Sequence, residues 1–226
     1  MCGRYNLFSP MEAVAAQFAA EVRTGAFAPR YNLAPTAVVP VVCATREGRV
    51  ITLHVWGLVP SWSKDARGAA RLINARVETI GEKPAFRKAF ASRRCLLPAD
   101  GYYEWYPVPD ASGGKPVKQP YFIRPSDGGL FVMAGLYEFW KAPDGSWLTT
   151  ATVITTSATD EVGHLHDRMP MSVPAGNWAA WLDPDFGADA RELLSVPVTG
   201  LSFYPVSTAV NKVANEGPEL LEPLAG

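Results

Sequence analysis

Apolar positions along this chain come in short bursts separated by polar and turn-forming residues. Met11, Val14, Ala15 and Phe18 share one face at helical spacing. Ser9-Pro10-Met11-Glu12 before them has the form of a helix start, with Ser9 as cap, Pro10 at the first helical position and Glu12 closing a capping box. The period then shortens toward two. Val38 to Cys43 is a short apolar run, and Val50 to Trp56 is rich in β-branched and aromatic residues. Trp56 to Trp62 ends that strand in a loop, and Lys64 to Arg71 is polar and basic. Glu82 to Ala91 reads as a helix with Pro84 near its start and Phe86 and Phe90 one turn apart. Cys95 to Pro98, Tyr102 to Tyr106, Tyr121 to Arg124, Leu130 to Trp140, Leu148 to Thr156 and Leu201 to Val206 read as strands, and Asp110 to Gln119 as a hairpin tip. Trp178, Trp181 and Leu182 sit at helical spacing, and Ala188 to Leu194 predicts another short helix.

Strands outnumber helices and do not alternate with them. This predicts one α+β domain over residues 1–226, built on antiparallel or mixed sheet with a few short helices, and not a doubly wound fold. No repeat, low-complexity segment or linker interrupts it.

With 226 residues, 48% of them hydrophobic, the chain can bury a substantial core. The net charge of -1 gives no global signature of a nucleic-acid binder, so a DNA surface would have to be a local basic groove. Three widely spaced cysteines, Cys2, Cys43 and Cys95, argue against a disulfide framework and for a reducing compartment. There is no C-x-x-C, and no cofactor or metal is expected. Neither a signal peptide nor a bilayer-spanning stretch is visible, so a soluble, cytoplasmic protein is expected.

Cys2 is the first residue of chemical interest. Removal of the initiator methionine would leave an amine and a thiol on adjacent carbons, with reference pKa values of about 8 and about 8.5. An aldehyde condenses with such an amine to an imine, and the thiol then closes a thiazolidine. On position alone, an inert N-terminal cysteine is the commoner case. Glu104, in Gly101-Tyr102-Tyr103-Glu104-Trp105, would be poorly solvated among aromatics, which raises a carboxyl pKa toward that of a general acid. The bland reading is an outward or arginine-paired carboxylate. His166, in His164-Leu165-His166-Asp167, can shuttle protons near neutral pH. The His164/His166 pair also admits a metal site, but no further ligand has matching spacing. Asn74 has the surroundings of a buried, orienting amide. Arg4, Arg76 and Arg168 are candidate phosphate ligands or ordinary salt-bridge arginines. Trp62 is either a stacking platform or one of the core tryptophans.

Several blocks together resemble the SOS-response-associated peptidase (SRAP) family. They are Met1-Cys2-Gly3-Arg4-Tyr5, Arg30-Tyr31-Asn32-Leu33-Ala34-Pro35, Trp56-Gly57-Leu58-Val59-Pro60-Ser61-Trp62, Ile73-Asn74-Ala75-Arg76-Val77-Glu78-Thr79, Gly101-Tyr102-Tyr103-Glu104-Trp105, His166-Asp167-Arg168-Met169-Pro170 and the tail from Val206 to Pro223. They stand in family order across nearly the whole chain. The resemblance implies a compact α+β domain with a barrel-like β core and a positively charged groove. It also implies covalent attachment of the N-terminal cysteine to abasic sites in single-stranded DNA, with lyase-type chemistry, by a monomer that associates with the nucleoid when bound to DNA. On that basis Cys2 is the nucleophile, Asn74 holds the N-terminal residue, Glu104 is the general acid/base, and His166 assists proton transfer at the sugar oxygen. Arg4, Arg76 and Arg168 would grip phosphates, while Pro35, Trp62, Trp105 and Thr155 would line the DNA groove. The family often has a second aromatic after the tryptophan matching Trp62, and this chain has Ser63. Half of the stacking wedge is therefore expected to be missing.

Two other function classes fit the same residues. One is an N-terminal-nucleophile cysteine peptidase acting on its own leader through Cys2, Glu104 and His166. The other is a non-catalytic DNA-binding or chromatin-reading module, which would tolerate loss of Cys2.

Overall fold

The two-residue period is realised as strands. A computed structural model describes residues 2–110, 113–158, 160–194 and 199–224, with the side chains of 160, 161, 188 and 189 left aside. In chain order the elements are β1 (Tyr5–Leu7), α1 (Met11–Phe18), β2 (Ala20–Val22), β3 (Arg30–Leu33), β4 (Val38–Thr45), β5 (Gly48–Trp56), β6 (Asn74–Arg76), α2 (Arg87–Ser92), β7 (Arg94–Ala99), β8 (Gly101–Val108), β9 (Val117–Pro125), β10 (Phe131–Lys141), β11 (Trp147–Ser157), β12 (Arg168–Pro170), α3 (Trp178–Leu182) and β13 (Leu201–Pro205). Short 3-10 turns join several of them.

One sheet has the order β13-β9-β8-β1-β3, antiparallel throughout. In the other, β11-β10-β7-β4-β5 closes on itself through a parallel β11–β5 pairing. This is a five-stranded mixed barrel, and closure removes its sheet edges. The small strand β6 lies parallel to β11, and β12 lies antiparallel to it. The expected α+β architecture with a barrel-like core is the one observed. The main core draws on both sheets, from Tyr5 and Tyr102 in the first to Val41, Leu97, Leu136 and Val153 in the barrel. Tyr5 meets Trp56 edge-on at 5.1 Å, tying the sheets together.

Two glycines allow close approaches. Gly57 ends β5 at φ +134, where a Cβ would stand 2.6 Å from the Ala69 carbonyl oxygen. Gly101 opens β8 against Phe122, whose ring would be 2.4 Å from a Cβ. Either substitution would push a backbone out of register.

Several predicted elements differ in detail. Ser9 does not cap α1: its hydroxyl and amide both go to the buried Asp100 carboxylate, which also accepts from the Phe8 amide at 2.6 Å. The cap position falls to Pro10, whose carbonyl accepts from Ala13 and Val14. The helix predicted from Glu82 begins only at Arg87. Pro84 lacks an amide and disfavours helical backbone at Lys83, so turns fill the interval. Residues 184–194 form 3-10 turns broken at Gly187 (φ 65). The hairpin tip is shorter than predicted, because β9 starts at Val117 opposite Val108. His164 ends a 3-10 turn and His166 follows it, so the pair is not on a strand. Among the described residues no group of three or more potential metal ligands forms, and no helix is long and apolar enough to cross a membrane.

Candidate functional site

Cys2 is fully buried. Its backbone carbonyl accepts a 2.8 Å hydrogen bond from Asn74 Nδ2 on β6. Asn74 is fixed because its strand pairs with β11, Asn74 opposite Val153. Its Oδ1 is buried without a hydrogen-bond partner among the described residues, so an acceptor stands idle beside the N-terminal residue. Burial pushes the Cys2 thiol far above its ordinary pKa, and the Glu104 carboxylate adds to that shift. In this state Cys2 is a neutral thiol.

Glu104 lies on β8, 3% exposed, on the same sheet face as Tyr102. Burial raises its pKa, opposed by nearby positive charge that includes His166. The rise expected from its aromatic surroundings is therefore present. Glu104 and His166 share a cavity of about 490 Å³ with Arg4, Trp105, Lys118 and Asn211. His166 Nδ1 is 2.9 Å from the Arg168 backbone N–H and 2.8 Å from Asp167 Oδ1. The two contacts require opposite protonation of Nδ1. The amide contact is set by the backbone, whereas the Asp167 side chain is 85% exposed and solvated. We therefore assign Nδ1 as acceptor and the ring proton to Nε2.

The arginines do more structural work than the sequence reveals. Arg4 donates to Asn32 Oδ1 (2.7 Å), Val210 O (2.8 Å) and Asn211 O (3.2 Å), and its guanidinium lies 5.9 Å from the Trp105 ring centroid. Asn32 continues this tie, donating to the carbonyls of Val210, Lys212 and Asn215. Trp105 Nε1 donates to Asn211 Oδ1 at 2.6 Å. Together these bonds fasten the tail segment against the cavity. Arg168 pairs with both carboxylate oxygens of Glu78, at 2.6 and 3.1 Å, and donates to the Thr155 carbonyl at 2.7 Å. Arg76 is exposed, and Thr155, buried, is in register with both Arg76 and Pro170.

Pro35 and Trp62 lie outside the cavity lining. Pro35 occupies the second position of a turn closed by the Ala37 amide on the Ala34 carbonyl. Thr36 follows at φ 71, a left-handed conformation costly for a β-branched residue. Trp62 is 62% exposed, which excludes the core-tryptophan reading. Ser63, beside it, turns its hydroxyl back to the Asp65 carbonyl. Lys118 and Asn211 are cavity residues that sequence reasoning missed. Lys118 sat in an apparent polar loop, and Asn211 in a tail block with no chemical pattern of its own.

A mostly β protein with a buried N-terminal cysteine held by an amide, beside a carboxylate and an imidazole on one cavity, defines the class. The chain belongs to the SOS response associated peptidase (SRAP) family, whose pattern it matches over residues 1–213. Abasic site processing protein YoqW of Bacillus subtilis (strain 168) is 37% identical over 227 residues, covering 98% of this chain and 99% of that protein. Abasic site processing protein HMCES of Mus musculus is 31% identical over 274 residues, covering 99% of this chain and 76% of that protein. Among solved structures, a protein from Bacteroides thetaiotaomicron has the same fold, with TM-score 0.85 at 24% identity over 99% of this chain and all of that one. A phage-related protein from Bordetella bronchiseptica has TM-score 0.73 at 29% identity, covering 91% of this chain and 94% of that one.

Proposed function

We propose that this protein processes abasic sites in single-stranded DNA by linking Cys2 covalently to the sugar aldehyde. The observation that carries the proposal is the Asn74–Cys2 hydrogen bond, which fixes the N-terminal residue near enough to feel the charge of Glu104, a lining residue of the cavity it shares with His166. The names of the relatives support the substrate.

Removal of Met1 frees the Cys2 amine, and the idle Asn74 Oδ1 accepts a hydrogen bond from it and orients its lone pair. The closed sugar must open first. Glu104 takes the C1 hydroxyl proton and returns it to the ring oxygen as the C1–O bond breaks, with His166 Nε2–H hydrogen-bonded to that oxygen. The amine then attacks the C1 aldehyde, and Glu104 carries both amine protons in turn to the oxygen, which leaves as water. The resulting imine is attacked by Cys2 Sγ. A C–S bond forms, the C=N π electrons move to nitrogen, and the thiol proton ends there, closing the thiazolidine. One water is lost overall. The high thiol pKa suits this order, because the sulfur is neutral until the electrophile is attached.

The DNA strand is held by Arg76, by Arg168 after it leaves Glu78, and by the N–H groups of Arg4 not committed to the tail. Trp62, Trp105, Pro35 and Thr155 form the groove wall. The whole chain acts as one unit, as a monomer in the cytoplasm.

The amine and thiol have separable roles. Cys2→Ala keeps an N-terminal amine and should give an adduct with abasic single-stranded DNA only when borohydride is present. The alanine imine acidifies the neighbouring C2 proton, so strand nicking by β-elimination should accompany it. A heat-stable Cys2→Ala adduct without reductant would show that the thiol is dispensable and the mechanism wrong.

A further inference from the structure

The cavity beside Cys2 has a cation that is not tied into the fold. Arg4 is held by Asn32 and the tail carbonyls. Arg168, outside the lining, is paired with Glu78. Lys118 lines the cavity, is exposed, and joins no ion pair among the described residues. Its position follows from register. Trp105 pairs with Pro120 and Pro107 with Lys118, so residue 118 sits one rung beyond the indole on the same face of the β8–β9 hairpin. The same hairpin carries Lys115, also exposed, toward its tip.

Resting on the reading above, we infer that Lys118 is a phosphate ligand at the mouth of the Cys2 cavity. The β8–β9 hairpin is the arm that carries it against the backbone of a single DNA strand. The chemistry fits the position. An ammonium on a flexible four-carbon stem follows a phosphate through small changes of strand path, whereas a guanidinium locked by three internal acceptors cannot. The nearby Trp105 gives a neighbouring base an aromatic face, so successive positions on one face of the hairpin offer both halves of a single-strand contact. Glu104 is the carboxylate among the cavity's lining residues, so a nearby cation also offsets its repulsion of the phosphates.

The test is equilibrium binding of the full chain to an undamaged single-stranded oligonucleotide across a series of salt concentrations. It compares wild type, Lys118→Gln, Lys118→Arg and, as a reference, Arg76→Ala. Loss of one phosphate contact should make the slope of log K against log[salt] shallower by about 0.7. Lys118→Gln is expected to show that change with an unaltered melting temperature, and Lys118→Arg to keep the wild-type slope. A wild-type slope in Lys118→Gln, alongside normal crosslinking by the wild type, overturns the Lys118 contact and leaves the proposed function standing. Failure of the wild type to bind or crosslink single-stranded DNA overturns both.

Discussion

Glu104 combines two demands that conflict. A carboxyl group 3% exposed is a poor place for charge, and burial raises its pKa. Between its unfolded pKa and its raised folded pKa, the native state holds the proton more tightly than the unfolded chain. Stability from this group is therefore present at low pH and lost as pH rises through the folded value. Glu104→Gln removes the charge and keeps the shape, so it should raise the melting temperature at pH 7. Crosslinking should meanwhile slow by roughly 10²–10⁴-fold, the usual cost of a lost general acid–base. A time course and a thermal melt on the same sample check both halves. A variant that is less stable and equally fast would remove Glu104 from the chemistry. This residue was legible in the sequence because aromatic neighbours on both sides announce a dry site. The internal bonds of Arg4 and the Glu78 pairing of Arg168 were not. An arginine looks the same in sequence whether it waits for a phosphate or ties down a distant loop, and two of Arg4's three partners lie more than 200 residues away.

Among the elements, the long strands of the barrel were readable from their apolar runs, while β1, β2, β3, β6 and β12 were not. Each of these is three or four residues long, too short to establish a period. The short helices needed a partner that sequence does not reveal. Arg94, nearly buried at the start of β7, donates to Phe90 O (2.7 Å), Ala91 O (2.9 Å) and Trp181 O (2.8 Å), and also to the Asp183 carbonyl. It thereby satisfies carbonyls at the ends of α2 and α3, which an isolated helix leaves bare. Arg94→Met fills much of the space but orphans these acceptors. It should cost roughly 3 kcal/mol or more, measured by urea unfolding. A loss below about 1 kcal/mol would mean that water replaces the guanidinium at little cost.

At the scale of the whole molecule, a net charge of -1 conceals a strong local imbalance. Residues 64–94 hold nine lysines and arginines against three acids, so the segment carrying Asn74 and Arg76 is the basic one. The barrel carries a pH dependence of opposite sign to that of Glu104. His54, buried on β5, has Nε2 2.9 Å from the Thr52 hydroxyl and its ring edge-on to Tyr137. Burial lowers its pKa to about 4. The unfolded chain therefore takes up this proton first, and stability is lost as pH falls from about 6.5 toward 4, by up to about 3 kcal/mol. Urea unfolding at pH 7 and pH 4.5 should show that loss, and His54→Gln should remove most of it. An unchanged pH dependence in the variant would place the acid sensitivity elsewhere.

The central claim is that Cys2, freed of Met1, captures the abasic aldehyde through both its amine and its thiol. Intact mass of the protein after incubation with an abasic single-stranded oligonucleotide, without reductant, tests it most directly. The predicted product has the mass of the chain lacking Met1 plus the oligonucleotide, less one water, and survives heating. An unmodified protein, or a stable adduct that retains Met1, would contradict the claim.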